Sequence, residues 1–312
     1  MSAKSGPARR LQAWLLPGLL CLFMAMPAAW ARPTEEIAIG FYLPVTRELS
    51  RRDVEVSLRF WTDELAQIMG VSYRPIEFFD DLDKLRQAMA AGRINFLVAT
   101  SMGVVQHFAP GELADGFSGY KAVPDHLLLV VRRDAGIRGP ADLAGKRLAL
   151  LDGDELSRVY LETLLMKAWG KADLARLAPI ETEARSGKLV HRLFFGQADA
   201  ALVLRNAYET AVALNPQVAQ RLQVLEDYSF RMRSPHIGLF SAKVSPGDRE
   251  AYTRGVIKLN ETARGKQVLQ IYQADRMVAT GVADLTPFRE LLASHRAYNL
   301  ASTRPAGRKG GR

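Results

Sequence analysis

Hydroxyls, carboxylates and a few cations carry the chemistry this chain can offer. Thr100 and Ser101 stand side by side where an apolar run ends. Two adjacent hydroxyls at such a turn either cap the helix that follows or donate together to a bound polar group. The stretch Asp152-Gly153-Asp154-Glu155-Leu156-Ser157 puts three carboxylates and a hydroxyl in a turn that opens a helix, where free backbone N–H groups can hold polar or anionic ligands. Arg205-Asn206 follows the apolar run ADAALVL. A guanidinium there either clamps a carboxylate or phosphate in bidentate fashion or lies in solvent at a helix start. Asp80 either caps a helix or holds a ligand cation. Acid–base work by Asp152, Asp154 and Glu155 is chemically open. However, the sequence has no G-x-S-x-G elbow, no H-E-x-x-H and no G-x-x-x-x-G-K-[ST]. His107, His126, His191, His236 and His295 show no close metal-ligand spacing. The expectation is a binding role without catalysis, cofactor or metal.

Alternating strands and helices must position these groups. Glu36–Tyr42 reads as a strand ending at Leu43-Pro44. A helix over Arg52–Met69 buries Val54, Leu58, Trp61, Leu65 and Ile68 on one face and ends at Gly70. Next come a strand over Val71–Phe78, a helix capped by Asp80 or Asp81 and running to Ala91, a strand over Ile94–Ala99 and a helix over Met102–Phe108. The short connections predict a parallel sheet covered on both faces. Residues 110–119 read as loop. A strand over His126–Arg132 then opens a second series: strand Arg147–Leu151, helix Glu155–Trp169, strand Leu177–Thr182, helix Ser186–Phe195, strand Asp199–Leu204, helix Arg205–Leu214 and strand Arg221–Leu225. After Ser234-Pro235 comes the strand His236–Ser241. The remainder reads as helical, over Pro246–Leu259, Thr262–Tyr272 and Pro287–Tyr298.

This order predicts an α/β protein of two lobes joined by two crossovers. The first lobe comprises residues 32–119 and 229–298, and the second, residues 120–228, is inserted into it. The C-terminal helices return to the first lobe. Ligands of such sheets bind beyond the C-terminal strand ends, where helix N-termini converge. That places Thr46, Asp80, Thr100 and Ser101 at the site from the first lobe, and Asp154, Ser157, Arg205 and Asn206 from the second. Tyr120 and His236, on the crossovers, either touch the ligand as lid or hinge groups or fill space.

Composition narrows the classes. The chain has 312 residues, 48% of them hydrophobic, and a formal net charge of +9. Lys4, Arg9 and Arg10, the apolar stretch Leu15–Met26 and the small-x-small run Ala29-Trp30-Ala31 read as a secretory signal peptide over residues 1–31, cut after Ala31. The paired Arg9-Arg10 hints at twin-arginine export. Cys21, the only cysteine, lies in that leader, so the mature chain forms no disulfide and offers no thiolate. Of 42 basic residues, three lie in the leader and four in the tail from Thr303, leaving 35 against 33 acidic ones. A near-neutral body argues against nucleic-acid binding. Residues 299–312 read as a disordered basic tail.

Several segments resemble the phosphate/phosphite/phosphonate solute-binding family of ABC transporters, within the type II periplasmic binding protein fold. They are IGFYLP, LRQAMAAGRINFLVATS, GYKAVPDHLLLVVRRDAGIRGPADLAGKRLALLD, SGKLVHRLFFGQADAALV and RSPHIGLF, in that order, between about Ile37 and Ile271. The resemblance implies a periplasmic, monomeric protein, each lobe a mainly parallel sheet flanked by helices. Its lobes close by hinge bending on a small polar ligand, which it passes to an inner-membrane permease. It also matches His191 to the family's helix histidine; read on its own, a histidine beside Leu189, Leu193 and Phe194 is a packed residue. One departure falls at the ligand loop. The family usually offers Ser/Thr-Ser/Thr-Gly there, and this chain has Asp152–Ser157. Three carboxylates repel a phosphonate unless they point away, which leaves cationic, zwitterionic and hydroxylated solutes open. The same departure keeps two other classes open: a sensor or scaffold that signals to a membrane receptor or kinase, and a periplasmic enzyme.

Overall fold

Four consecutive buried residues, Ile39–Tyr42, form β1, an interior strand of the first sheet. The structure, a computed structural model, describes residues 33–46, 49–122, 126–229, 236–271 and 274–303, which belong to one compact unit beginning at Arg32. After β1 come α1 (Arg51–Met69), β2 (Glu77–Phe79), α2 (Leu82–Ala90), β3 (Phe96–Thr100) and α3 (Ser101–His107). Strands β2 and β3 flank β1 in parallel, with Phe41 level with Phe78 and Val98. Local sequence sets the helix ends. The Ser50 hydroxyl accepts the Asp53 N–H to start α1, and Gly70 ends it in the left-handed region at φ 63°. Asp81, not Asp80, caps α2.

Residues 110–119 depart from the expected loop: they contain β4 (Leu113–Ala114) and most of β5 (Gly116–Tyr120). The second series is β6 (His126–Arg132), β7 (Leu148–Leu151), α4 (Glu155–Trp169), β8 (Glu181–Glu183), α5 (Ser186–Phe194), β9 (Ala200–Leu204), α6 (Arg205–Leu214), α7 (Gln217–Arg221) and β10 (Leu222–Ser229). The chain ends with β11 (His236–Ser241), α8 (Pro246–Ile257), α9 (Ala263–Ile271), β12 (Arg276–Thr280) and α10 (Thr286–Thr303). Strand β12 lies in the stretch read as helical and pairs antiparallel with β5. Strand β2 is shorter than expected, because of residues 71–76 only Tyr73 bridges, to Ile37. Strand β10 is longer, and slips register between Val224 and Glu226.

The first sheet runs β2-β1-β3-β11-β4 and the second β10-β6-β9-β7-β8, with β5 and β12 as a separate ribbon. Neither main sheet is wholly parallel. Strand β11 runs antiparallel to β3, and β6 antiparallel to β9. The reason is topological. A strand arriving directly from the other lobe, with no helix before it, enters at the end where the βα strands finish, so it runs against them. These are the two crossover strands of a two-lobed α/β protein.

Packing also differs from expectation at the C-terminus. Helices α8 and α9 cover α1, as a return to the first lobe requires, but α10 packs across both α3 and α4. Its Phe288, Leu291 and Leu292 join Met102 of α3 and Leu161 and Leu164 of α4 in one continuous apolar cluster. Burying each such side chain contributes about 1.5–3 kcal/mol. On the opposite face of the first sheet, Trp61, Phe96, Phe117, Phe240 and Tyr252 form a second cluster, in which Phe96 stacks on Phe117 at 4.3 Å between centroids. Helix α10 reaches Thr303, beyond the boundary expected at residue 298. The leader, Ser234-Pro235 and residues 304–312 lie outside the described residues.

Candidate functional site

The ends of β1 and β3 and the start of α4 meet between the two sheets. Tyr42 is the last residue of β1 and is buried. Along a strand successive side chains alternate, so Tyr42 points away from the face that holds Ile39 and Phe41. Thr100 ends β3 and sits at the N-cap of α3 without making a side-chain cap bond. Both hydroxyls donate instead across the gap to one carboxylate of the second lobe. Tyr42 reaches Glu155 Oε1 at 2.9 Å and Thr100 reaches Oε2 at 3.3 Å. Gly103 allows this approach. A Cβ there would lie 2.6 Å from the Thr100 hydroxyl and 3.7 Å from Glu155 Oε1.

Glu155 crosses the gap while its neighbour does the capping. The Asp154 carboxylate accepts the Ser157 N–H at 3.0 Å and also the Ser157 hydroxyl. Asp154 and Ser157 therefore serve the start of α4, with Ser157 fully buried. Ser101, next to Thr100, is likewise fully buried, and its hydroxyl has no hydrogen-bond partner among the described residues.

The remaining expected residues distribute as follows. Thr46 follows β1, half-buried, and donates to the Leu43 carbonyl at 3.3 Å. Asp80 is exposed after β2. His236 opens β11 directly opposite Thr100 and lines a cavity of about 90 Å³ on the α1 face of the sheet, with Phe41, Trp61, Val98 and Met277. Burial, helped by Lys121, pushes its imidazole down to about 4. Tyr120 ends β5 under the Arg276 guanidinium, 4.7 Å from the ring centre. Arg205, first in α6, pairs with Asp227 of β10, approaches Glu209 at 3.5 Å and lies 3.0 Å from His126 Nδ1. Its charge is thus matched within the second lobe. Asn206 and His191 are exposed on α6 and α5, and no side-chain hydrogen bond joins either to the Glu155 group among the described residues. Among those residues, no three His, Cys, Asp or Glu side chains are placed to hold a metal ion.

Of the cross-lobe group, Tyr42 is not among the residues the sequence singles out, and Glu155 appears there only for acid–base work and as one of three carboxylates in the ligand loop. A signal for Glu155 was present. Asp154 and Ser157 have the spacing of a cap and its partner, which leaves the intervening Glu155 without a local task.

Two mixed sheets with βα strand ends facing one another, joined by two crossover strands, define a type II periplasmic binding fold. A family model described as "ABC transporter, phosphonate, periplasmic substrate-binding protein" matches residues 46–285. The chain belongs to that family of solute-binding proteins. Solved structures agree on the fold. A binding protein component of an ABC phosphonate transporter from Pseudomonas aeruginosa has TM-score 0.63 and 15% identity, over 89% of this chain and 91% of that one. A Xanthomonas citri protein bound to ATP has TM-score 0.63 and 11% identity, over 85% and 98%. A Prochlorococcus marinus protein in complex with methylphosphonate has TM-score 0.61 and 11% identity, over 84% and 98%. No curated protein matches the chain.

Proposed function

We propose that the chain captures a small oxyanion-bearing solute between its two lobes and delivers it to an inner-membrane permease. The observation that carries this reading is the convergence of the Tyr42 and Thr100 hydroxyls at the cleft, with the buried Ser101 hydroxyl beside them. Aimed hydroxyl donors in a half-closed site bind an oxyanion without any bond being made or broken. Catalysis plays no part in this reading.

The lobes are taken as residues 32–119 with 229–298 and residues 120–228, with the crossovers as hinges. Tyr120 and Thr46 act as walls at that hinge end, whereas His236 serves the cavity on the α1 face of the sheet. Asp154 and Ser157 hold the start of α4 in place. Arg205 and Asn206 border the second lobe's strand ends, and Arg205 contributes positive potential rather than a direct clamp, since Asp227 already engages it. Export by the leader, cleavage after Ala31, a periplasmic location and a monomeric state belong to the same reading, as does the lack of a nucleic-acid partner.

A thermal-shift series tests it, with the processed chain against phosphate, phosphite, methylphosphonate, carboxylates, amino acids and polyamines. A ligand that binds only the folded state raises the melting temperature by mass action. A rise with an oxyanion supports the reading, and a rise with polyamines alone removes it. The chain's own carboxylate at the cleft favours a second reading, a sensor that reports to a membrane kinase. Co-purification with a permease rather than a kinase separates the two.

A further inference from the structure

We infer that Glu155 is the specificity-determining residue of the cleft: its carboxylate is the resident occupant of an oxyanion seat, and a solute's oxyanion enters by displacing it. This inference rests on reading the cleft as an oxyanion site. Three observations support it. First, Glu155 has no capping task, because Asp154 already accepts both Ser157 donors at the start of α4. Second, each Glu155 oxygen takes one hydroxyl from the opposite lobe, Tyr42 at 2.9 Å and Thr100 at 3.3 Å. That is how two oxygens of a tetrahedral oxyanion would be held. Third, a hydroxyl next in sequence to Thr100 is left over. The Ser101 hydroxyl beside Thr100 is fully buried and unpartnered among the described residues, at a cost that a native fold rarely carries without a use. A phosphonate carries a third oxygen that a carboxylate lacks, and on this inference the Ser101 hydroxyl donates to it.

The seat cannot hold both anions at once. Two negative charges about 4 Å apart in a partly buried site disfavour each other by about a thousandfold. Glu155 must therefore swing out toward solvent before an oxyanion binds, and the donors it leaves are the ones the ligand takes up. The half-buried position of Glu155 leaves it a path to do so.

The test is calorimetric titration of methylphosphonate and of inorganic phosphate into the native chain, E155A and E155Q. Glu155→Ala removes charge and volume; Glu155→Gln removes charge alone. The expected result is at least tenfold tighter binding to E155A than to the native chain, with E155Q in between. The melting temperature of E155A without added anion should fall, as two cross-lobe hydrogen bonds go, and recover on adding methylphosphonate. If the native chain binds the anion and E155A binds it equally or more weakly, Glu155 is a structural latch or a ligand contact and the inference fails, while the cleft remains an oxyanion site. If no variant binds either anion, the oxyanion reading fails and the inference with it.

Discussion

Acidification should weaken this fold through one imidazole. His236 opens β11 level with Thr100 and lines the cavity on the α1 face. Burial, with a smaller push from Lys121, lowers its pKa from 6.5 to about 4. Water hydrates the imidazolium of an unfolded chain, whereas the folded chain keeps the ring neutral. Between pH 6.5 and pH 4 the unfolded state thus binds more protons, so stability is lost as pH falls through that window. The shift corresponds to about 3 kcal/mol at full effect, of which about 2 kcal/mol goes between pH 7 and pH 5. Residual exposure of His236 makes these upper values. The assay is urea unfolding of the native chain and of His236→Phe at pH 7 and pH 5. Phenylalanine keeps a ring against the apolar walls and does not titrate; any contact it loses is lost equally at both pH values. The native chain should lose about 2 kcal/mol more than the variant over that interval. Carboxylates held low by a cation, such as Asp199 beside Arg147 and Glu112 beside Arg86, give up their stabilisation at more acid pH and do not contaminate the window. Equal losses in the two proteins would refute the reasoning.

Two further substitutions probe the cleft and the seam between lobes. Gly103→Ala places a Cβ 2.4 Å from Leu82 Cδ1 and 2.6 Å from the Thr100 hydroxyl. Overpacking of this kind costs about 1–3 kcal/mol, more than the helix propensity gained by alanine. The displaced Thr100 hydroxyl should also weaken methylphosphonate binding, which calorimetry reads alongside a melting curve; unchanged affinity would take Thr100 out of the seat. Phe288→Ala empties a site 2% exposed where α10 meets α3 and α4, and should cost about 3–5 kcal/mol in denaturant unfolding. A loss below about 1 kcal/mol would mean that α10 contributes little to that core.

How much of this could be read from the chain divides along the reach of the interactions. The limits of α4 were legible because local groups set both ends: Asp154 with Ser157 at the start, and Gly170 at φ 77° at the finish. Strand β6 was legible because HLLLVVR is a run of strand length with five of its residues buried. Strand β5 was not. GFSGY carries two glycines and no alternation, and its partner β12 lies far along the chain, so neither strand announces itself without the other. The same division governs the site. Thr100 could be named because a hydroxyl at a strand end is visible in a single sequence window. Arg205 was named for a local reason too, yet Asp227 answers its charge from 22 residues away, and nothing in the ADAALVLRN stretch encodes that. Glu155 lies between these cases. Which of the acidic candidates Asp152, Asp154 and Glu155 caps the helix and which crosses the cleft depends on where β1 delivers the Tyr42 hydroxyl. That is a tertiary fact, and it changes the meaning of the loop. Read alone, Asp152–Ser157 is a loop hostile to anions; set against Tyr42 and Thr100, one of its carboxylates is itself held by two hydroxyl donors.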